Sequence, residues 1–461
     1  MTDVTAVILA AGEGKRMKSE RPKVLHEICG RPLLGHVLAT LENLCTDKIL
    51  VIGHGAAEVE AAFGRSVRYA IQEEQLGTGH AVMQAAPQLS GRGEVMILCG
   101  DTPLLSRETL AGLLKEHRRT AAVATVLTAI VPNPFGYGKI IRSVSGALEK
   151  IVEEKDASDQ EKTIAEINTG TYVFAAEALL DVLKRLSNKN FQGEYYLTDC
   201  IALLIDKGLR VSSFCLEDYR HALGVNDRSQ LAQAAFLLRQ QINQRLMISG
   251  VTMVDPATTY VDIDVRVGPD TTLFPNTTLL GSVEVGKGCI IGPNTEIKDS
   301  IIGDGVTVRH SVLSGCILAD NVTVGPFAQL RPETVLRQGV KVGNFVEIKK
   351  SDIGNNCKIP HLSYVGDAQV GSHANLGAGT IVVNYDGQEK HCTVIGEQAF
   401  VGCNSNLVAP VTIGKGAFVA AGSTITKDVP PGALSLARAK QVNKDGMAAR
   451  FIETRKSDDF C

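Results

Sequence analysis

Two basic residues follow a small-residue loop near the start of the chain, where their charges could neutralise phosphate. The loop continues an apolar run, Val7-Ile8-Leu9, and reads Ala10-Ala11-Gly12-Glu13-Gly14. Small residues allow the backbone to approach a ligand closely, with amide N–H groups free to face an anion. Arg16 and Lys23 add two positive charges to the same segment. This combination suits the binding of a nucleoside triphosphate.

The apolar run before this loop has the character of a buried parallel strand. The loop itself is not a Walker A motif, because no Gly-Lys-Ser/Thr follows, and it is not a Gly-x-Gly-x-x-Gly fingerprint. The alternative for these residues alone is an ordinary strand-to-helix turn with solvated basic side chains.

Length and composition exclude several classes of protein. The chain has 461 residues, enough for two or three domains of ~150 residues each. Its net charge of −3 argues against a nucleic-acid or membrane-surface protein. No segment approaches the ~20 apolar residues of a membrane span, and the first apolar run lacks the basic flank of a signal peptide. Eleven cysteines without CxxC pairs predict reduced thiols in a cytosolic protein, without a zinc site.

Strand-like and helix-like segments alternate up to about Asn226. Apolar runs at 48–52, 94–98 and 121–127 are separated by helical stretches such as 109–119. This alternation predicts a parallel, doubly wound sheet with helices on both faces. Ligands bind beyond the carboxyl ends of the strands in such folds. A helical stripe over 229–247 then predicts a linker helix.

The sequence pattern changes beyond Gly250, where an apolar residue followed by glycine recurs. The glycines of Val285-Gly286 and Ile291-Gly292 are six residues apart, as are those of Ile395-Gly396 and Val401-Gly402. This spacing predicts a hexapeptide β-helix, in which six residues form one short strand and one turn and three such units complete a coil.

With both halves placed, the chain resembles the bacterial family of bifunctional N-acetylglucosamine-1-phosphate uridyltransferases and glucosamine-1-phosphate N-acetyltransferases, which make UDP-N-acetylglucosamine. The resemblance extends from Val7 to about Arg438. In the first half it rests on Leu9-Ala10-Ala11-Gly12, 72–80, Gly100-Asp101, Gly136-Tyr137-Gly138, 166–170, 193–196 and Gly224-Val225-Asn226. In the second half it rests on Leu330-Arg331-Pro332, 343–350, His361-Leu362-Ser363-Tyr364, 377–380 and Asn384-Tyr385-Asp386-Gly387.

The resemblance implies an architecture and a set of ligands. We expect an α/β Rossmann-like nucleotidyltransferase domain over 1–227, a helical linker over 228–250, and a left-handed parallel β-helix acetyltransferase domain with a C-terminal tail over 251–461. It further implies a cytoplasmic homotrimer assembled through the β-helix. UTP, sugar-1-phosphates and acetyl-CoA would be the substrates, with Mg²⁺ as cofactor and no nucleic-acid or integral-membrane partner.

Uridylyl transfer requires the protein to position two anions and neutralise their charge, because a sugar-phosphate oxygen attacks the α-phosphorus of UTP in line. The resemblance gives Arg16 and Lys23 this catalytic task and makes Asp101 and Asn226 the Mg²⁺ ligands. Taken alone, Asp101 could equally cap a helix, and Glu153 could lie on a solvated face. The residues implied to bind UTP or UDP-N-acetylglucosamine are Leu9, Ala10, Ala11, Gly12, Lys23, Gln72, Gly77, Thr78, Gly138, Glu153, Asn168, Thr169 and Asn226.

Acetyl transfer to an amine requires a base with a pKa near neutrality, and His361 is the candidate. Glu347 is expected to orient its imidazole. The residues implied to bind glucosamine-1-phosphate are Arg331, Lys349, Tyr364 and Asn375. Those implied to bind acetyl-CoA are Ala378, Asn384, Tyr385, Lys390, Cys403, Ala421 and Arg438. Otherwise, His361 would be a structural or exposed histidine and Arg438 an exposed cation.

Four positions depart from the family pattern. Cys99 replaces a tyrosine before Gly100-Asp101, and Glu154 replaces a histidine, a change expected to be neutral. Cys403 replaces a serine and is a weaker hydrogen-bond donor. Pro360 precedes His361 where glycine is common, and it could pre-set or shift the loop that carries the base.

Two other functions are compatible with parts of the sequence. One is a single-activity nucleotidyltransferase whose β-helix serves only oligomerisation or regulation; the joint presence of His361, Lys349, Asn384 and Arg331 argues against it. The other is a non-catalytic scaffold that binds sugar nucleotides.

Overall fold

The computed structural model describes residues 3–453, so the last residues of the predicted tail lie outside the described part. Contacts divide the chain into two compact units, Met1–Gln241 and Ile242–Cys461. Each unit is described by itself below.

A mostly parallel sheet forms the centre of the first unit, with the order β11-β7-β10-β6-β1-β4-β5. The hairpin β8-β9 adjoins β10, and β2-β3 is a separate small hairpin. The strand β10 runs antiparallel to both of its long neighbours. The strands are β1 (Val4–Leu9), β2 (Glu27–Ile28), β3 (Arg31–Pro32), β4 (Asp47–Ile52), β5 (Arg68–Ile71), β6 (Glu94–Cys99), β7 (Ala124–Ile130), β8 (Lys139–Arg142), β9 (Leu148–Val152), β10 (Glu166–Ala175) and β11 (Val211–Leu216).

Helices cover both faces of this sheet. Successive strand residues point to opposite faces, so Ile8 belongs to one buried apolar cluster and Val7 to the other. The first cluster includes residues of α1, α2 and α4, and the second includes residues of α3, α5 and α6. The helices are α1 (Leu33–Thr40), α2 (Ala56–Phe63), α3 (Thr78–Ala85), α4 (Arg107–Thr120), α5 (Ala176–Leu183) and α6 (Asp199–Asp206).

A long helix, α7 (Arg228–Ile248), occupies the segment predicted as a linker, and the division between the units falls inside it. Leu238, Ile242 and Leu246 of the predicted apolar stripe are buried. In the second unit, the Asn243 side chain donates to the carbonyl oxygens of Pro256 and Thr259, at 2.9 and 3.1 Å.

The second unit is a parallel β-helix whose strands form three flat faces. The first face contains Thr252–Met253, Thr272–Leu273, Ile290–Ile291, Thr307–Val308, Thr323–Val324, Lys341–Asn344, Lys358–His361, Asn375–Leu376, Phe400–Val401, Phe418–Val419 and Leu434–Ser435. The second contains Tyr260–Val261, Thr277–Leu280, Thr295–Lys298, Val312–Ser314, Gln329–Leu330, Glu347–Lys349, Tyr364–Gly366, Ile381–Val383, Asn406–Val408 and Thr424–Ile425. The third contains Arg266–Val267, Glu284–Val285, Ile301–Ile302, Cys316–Leu318, Thr334–Leu336, Asp352–Ile353, Ala368–Val370, Thr393–Ile395 and Val411–Ile413.

Inward apolar side chains stack from coil to coil along the axis. On the second face, Leu330 pairs with Ile348 and Ile348 with Val365, and all three are buried. The corner between the first and second faces repeatedly takes a left-handed backbone, with φ of 61° at Phe327, 56° at Phe345 and 49° at Leu362. Each corner therefore turns the chain at the same place in every coil.

This architecture confirms the predicted fold class, an α/β nucleotidyltransferase-like unit followed by a left-handed hexapeptide β-helix. A short helix, α8 (Met447–Glu453), is the last described element. Among residues 3–453, no helix is long and apolar enough to cross a membrane.

Candidate functional site

A cavity of about 280 Å³ opens beside the carboxyl ends of β1 and β6 in the first unit. The small-residue loop follows β1 and Asp101 follows β6, so neighbouring parallel strands bring them together. Gln72 comes directly after β5, and Gly77 and Thr78 stand at the start of α3. The predicted residues that line the cavity are Leu9, Ala10, Ala11, Gly12, Lys23, Gln72, Gly77, Thr78 and Asp101.

The ammonium of Lys23 lies between the two predicted metal ligands. Its Nζ forms an ion pair with the Asp101 carboxylate and donates to Asn226 Oδ1 at 3.3 Å. The amide of Val225 donates to the Asp101 carbonyl at 2.9 Å, which fixes the Asn226 segment beside Asp101. Two side-chain oxygens therefore face one positive charge, an arrangement that also fits Mg²⁺, which takes few protein ligands and completes its shell with phosphates and water. The part of the chain that the structure describes contains no cluster of three or more His, Cys, Asp or Glu side chains suited to a metal.

Gln72 has its amide nitrogen committed within the protein. Its Nε2 donates to the Gly77 carbonyl at 3.1 Å and contacts His80 Nδ1 at 3.1 Å. The remaining hydrogen-bonding atom of this buried side chain is its carbonyl oxygen, which can only accept. Thr78 Oγ1 accepts from the amide of Leu197 at 3.1 Å, so it anchors the segment that also carries Glu194, another lining residue.

The predicted sugar-binding residues meet one another beyond the cavity lining. The amide of Asn168 donates to the Gly138 carbonyl at 2.8 Å, and a Cβ at Gly138 would lie 3.4 Å from Glu153 Oε2. Burial raises the pKa of Glu153, with Asp199 and Asp156 adding to the shift, while Thr198 donates to the carboxylate at 3.0 Å and opposes it. Thr169 is buried and its hydroxyl donates to the Leu127 carbonyl, so it is committed to the sheet.

Cys99 lies between the residues that line the cavity and the predicted sugar-binding residues. It lines the cavity, and its thiol donates weakly to the Gly170 carbonyl at 3.8 Å. Burial, followed by the charge of Asp101, raises the pKa of the thiol to about 12. The family's tyrosine is therefore replaced by a neutral thiol at the cavity wall.

The structure separates Arg16 from the other predicted phosphate-binding residues. It is exposed in the 3₁₀ turn Lys15–Met17, and the lining residues among the described part of the chain do not include it. Sequence reasoning grouped it with Lys23 by proximity in the chain. It missed Gln75 and Glu194, which line the cavity, although Glu194 belongs to a motif on which the resemblance rests.

In the second unit, the predicted base and acetyl-CoA residues follow one corner, between the first and second faces. The amide of Gly379 donates to the His361 carbonyl at 3.2 Å, and that of Asn404 to the Ala378 carbonyl at 2.7 Å. The same pattern continues to the end of the stack. The amide of Gly422 donates to the Cys403 carbonyl, and Arg438 Nη1 donates to the Ala421 carbonyl, both at 2.8 Å. We call His361, Ala378, Cys403, Ala421 and Arg438 the corner row.

Asn344, and not the predicted Glu347, contacts the imidazole of His361. Asn344 Oδ1 faces His361 Nδ1 in a short contact, while Glu347 pairs with Arg331 at 2.9 Å. An amide oxygen can only accept, so this contact is a hydrogen bond when Nδ1 carries the proton, and in that neutral tautomer Nε2 has a lone pair. The expectation for Glu347 is wrong because its strand position directs it to the guanidinium in the preceding coil.

Three cations gather on the second face and in the loop beside it. The pKa of Lys349 is lowered, first by its contact with Lys390 and their mutual repulsion, and further by Arg331. Asn384 lies at the same place, donating to Asp367 at 2.5 Å and to the Tyr364 hydroxyl at 3.5 Å. Although Arg331 is paired with Glu347, Lys349 and Lys390 repel each other, and such a cluster favours an anion such as phosphate.

The corner row and this cation cluster occupy different ends of the second-face strands. His361 precedes the strand Tyr364–Gly366, and Lys349 pairs with Gly366 at its far end. Three extended residues span on the order of 10 Å. Asn375 lies on the first face between Lys358 and Phe400, and Tyr385 is exposed in the loop before Lys390.

Pro360 does not interrupt pairing with the preceding coil, whereas towards the following coil, among the described residues of its strand, only the pair Lys358–Asn375 is formed. The ladder pairs on either side of it, Val342 with Ile359 and Asn344 with His361, are both formed. Cys403 is exposed in the corner row at the position where the family has serine.

Comparisons with known proteins agree with both units. A model of the MobA-like NTP transferase domain matches residues 6–193, a model of the GlmU-like C-terminal hexapeptide matches 292–383, and one of the bacterial transferase hexapeptide matches 264–299 and 392–427. The bifunctional protein GlmU of Geobacillus sp. (strain WCH70) is 53% identical over 454 residues, covering 98% of this chain and 99% of its own. The GlmU proteins of Halalkalibacterium halodurans and Listeria monocytogenes (strain EGD-e) are 52% and 49% identical, covering 96% and 98% of this chain and 98% and 99% of their own.

These identities extend over nearly the whole chain, and the matched models fall on the two units as the structure divides them. The chain therefore belongs to the GlmU family of bifunctional enzymes, with a nucleotidyltransferase unit and a hexapeptide acetyltransferase unit.

Proposed function

We propose that this enzyme transfers acetyl from acetyl-CoA to glucosamine-1-phosphate and then uridylyl from UTP to the resulting N-acetylglucosamine-1-phosphate, releasing pyrophosphate. The observation that carries the first-unit assignment is the cavity lined by Lys23, Asp101 and the small-residue loop, with Asn226 hydrogen-bonded to Lys23. Family membership supports the pairing of the two activities.

For uridylyl transfer, we assign the triphosphate to the amides of the Gly12 loop and the ammonium of Lys23. Arg16, which is exposed and does not line the cavity, is not needed for this assignment of the triphosphate. The Gln72 carbonyl oxygen would accept from N3–H of uracil, beside Gly77 and Thr78. Mg²⁺, held by Asp101 and Asn226, would supply charge neutralisation on the triphosphate.

The sugar-1-phosphate is assigned to Gly138, Glu153 and Asn168. The Asn168 backbone amide donates to the Gly138 carbonyl, and Glu153 Oε2 would lie 3.4 Å from a Cβ at Gly138. The protein's task is positioning, because the attacking phosphate oxygen already carries the charge it needs. Thr169 would act indirectly, by holding β10 against β7.

For acetyl transfer, His361 is the proposed base, with Nε2 free to accept the proton of the attacking amine. Arg331, Lys349 and Lys390 would hold the phosphate of glucosamine-1-phosphate, with Tyr364, Asn375 and Asn384 nearby. This moves Lys390, predicted as an acetyl-CoA residue, to the phosphate cluster, in line with its contact with Lys349.

Acetyl-CoA is assigned to the corner row. Stacked coils are ~4.8 Å apart, so the three steps from His361 to Ala421 span about 14 Å. An extended carrier could therefore place its thioester near His361 and a phosphate near Arg438, with Tyr385 at the acyl end. A homotrimer assembled through the β-helix is proposed as well, on the ground of family membership.

Two further proposals accompany this function. We propose domain boundaries at 1–227, 228–250 and 251–461. A cytoplasmic location is supported by the cysteines, since no disulfide joins those in the described residues.

Paired assays on single variants of the full chain test the assignment. Asp101→Ala should abolish pyrophosphate release from UTP and N-acetylglucosamine-1-phosphate while preserving thiol release from acetyl-CoA and glucosamine-1-phosphate. His361→Ala should do the reverse. Pyrophosphate release by Asp101→Ala at the wild-type rate would refute the first site, and the absence of thiol release by the wild type would favour a single-activity enzyme.

A further inference from the structure

Lys139 is a fully buried lysine at the start of β8, and its ammonium has three acceptors. It donates to the carbonyl oxygens of Pro134 at 2.8 Å and Tyr137 at 2.6 Å, and to Glu154 Oε2 at 2.5 Å. An ammonium has three N–H donors, so each one is used. A buried charge without such partners would be strongly destabilising.

These contacts attach the loop 133–138 to the end of β9. Pro134 and Tyr137 belong to the loop, and Glu154 follows β9 by two residues. The rest of the loop is largely exposed, with Phe135 78% accessible to solvent. Two hydrogen bonds lie within the loop, from the Phe135 amide to Asn133 Oδ1 and from the Tyr137 amide to the Pro134 carbonyl, and one joins Gly138 to Asn168. The bonds from Lys139 are the ones that connect the loop to Glu154.

The loop connects the two parts of the proposed uridylyl-transfer site. Gly138, its last residue, accepts a hydrogen bond from the backbone amide of Asn168, and a Cβ added at Gly138 would lie 3.4 Å from Glu153 Oε2. The Tyr137 side chain lines a small cavity with Gly224 and Val225, and Asp101 is close enough to raise the pKa of its hydroxyl, after the larger effect of burial.

We propose that the pair Lys139–Glu154 is a positioning device that holds the loop 133–138 in the conformation needed to bind the sugar-1-phosphate. This inference rests on the proposed uridylyl transfer. Lys139 does not touch the substrate; it acts through the Tyr137 carbonyl and the Gly138 backbone that follows. Glu154 was expected to be a neutral departure from the family pattern, and its contact with a buried ammonium assigns it a role instead.

Lys139→Met tests the proposal, because methionine has similar length and no donors. Losing the hydrogen bonds of a charged donor should raise KM for N-acetylglucosamine-1-phosphate about tenfold, with KM for UTP changed less than about twofold. Glu154→Gln retains an acceptor and should raise the same KM by a smaller factor. Lys150→Met is the matched control. Lys150 lies on β9, but its side chain is half exposed and forms an ion pair with Glu161 at 3.3 Å. Both KM values of Lys150→Met should therefore equal those of the wild type.

The double variant Lys139→Met/Glu154→Gln separates positioning from charge balance. It removes the unpaired carboxylate but restores no donor to the loop carbonyls. If Lys139 acts by positioning the loop, the KM of the double variant for N-acetylglucosamine-1-phosphate should stay as high as that of Lys139→Met. Recovery of the wild-type KM in the double variant, or an equal rise of both KM values in Lys139→Met, would overturn the proposal.

Thiol release by the acetyltransferase unit reports whether each variant remains folded there, and circular dichroism reports on the whole chain. If Lys139→Met misfolds, the test rests on Glu154→Gln. An unchanged KM of Glu154→Gln for N-acetylglucosamine-1-phosphate would then overturn the proposal. Wild-type enzyme without pyrophosphate release would instead refute the proposed function itself.

Discussion

Gly77→Ala should destabilise the first unit and weaken UTP binding together, because this residue has a backbone conformation that only glycine populates readily. Its φ is 103° and its ψ is 175°. A Cβ there would lie 2.7 Å from the Tyr195 carbonyl oxygen and 2.9 Å from the Glu194 Cβ. The backbone opposite cannot move freely, since Tyr195 also accepts from the amide of Gly79 at 2.8 Å.

The expected loss of stability follows from two effects. A non-glycine residue in this region of φ and ψ costs about 1–3 kcal/mol. Forcing a methyl group into a packed contact costs about 1–3 kcal/mol more. Together they predict a loss of about 2–6 kcal/mol in the free energy of unfolding. For a unit of this size, the midpoint of thermal unfolding should fall by at least about 4 °C.

Gly12→Ala is the matched control. No atom lies within 4 Å of its added Cβ, and its φ is not in the left-handed region, yet it lines the same cavity. Its unfolding free energy should stay within about 0.5 kcal/mol of the wild type, while KM for UTP rises because the methyl group occupies the space of the ligand.

The assay is urea unfolding of the full chain, followed by a first-unit signal, alongside KM for UTP. Equal stability of Gly77→Ala and Gly12→Ala would refute the argument from backbone strain. Unchanged KM for UTP in Gly12→Ala would refute the assignment of the cavity.

Three further predictions concern both units. The pKa of Glu153 is raised in the folded state, so above about pH 4.3 the unfolded wild type releases this proton more readily than the folded wild type. The stability of the wild type therefore falls as pH rises through the folded pKa, and Glu153→Gln, which cannot titrate, should become more stable relative to it. Urea unfolding at several pH values measures this difference. Asn344→Ala should lower the kcat of acetyl transfer about tenfold without affecting uridylyl transfer, because His361 loses the partner that fixes its tautomer. Ile348→Ala, in the buried stack, should cost the second unit about 2–5 kcal/mol and Ile348→Val about 0.5–1.5 kcal/mol, as measured by chemical denaturation.

Each of these has an outcome that would contradict it. A pH-independent difference between Glu153→Gln and the wild type would show that the carboxyl is not perturbed. Equal losses of both activities in Asn344→Ala would point to misfolding rather than orientation. Similar stabilities of the two Ile348 variants would mean that the interior does not depend on filling that volume.

The fold could be predicted because its signals are local. Buried parallel strands such as β1 are apolar at every position except Thr5. The hexad spacing repeats an inward residue such as Ile291 or Val401, which can be recognised without knowledge of distant contacts. The coil that carries Leu376 is less regular, since its stacked partner is Val401, 25 residues later, with the Tyr385 loop between them.

The site could be predicted only where the fold itself brings residues together. Gly12 and Asp101 follow neighbouring strands, so topology alone places them side by side. Arg16 lies near Lys23 in sequence, but its place within the turn Lys15–Met17 leaves it exposed to solvent. Lys139 has the sequence context of an exposed strand residue, and its burial arises from loop carbonyls that no pattern reveals.

The β-helix also determines how damage would spread through the second unit. Each coil contacts mainly the coils before and after it, so stability is close to a sum of neighbouring interfaces. The corner row lies towards the carboxyl end of this stack, and its final member, Arg438, follows the last strand, Leu434–Ser435. Fraying from that end would consequently first remove Arg438, beside which we place a phosphate of acetyl-CoA, while the early coils near Thr252–Met253 stayed folded. Shortening the chain from its carboxyl end should thus impair acetyl transfer well before it unfolds the unit.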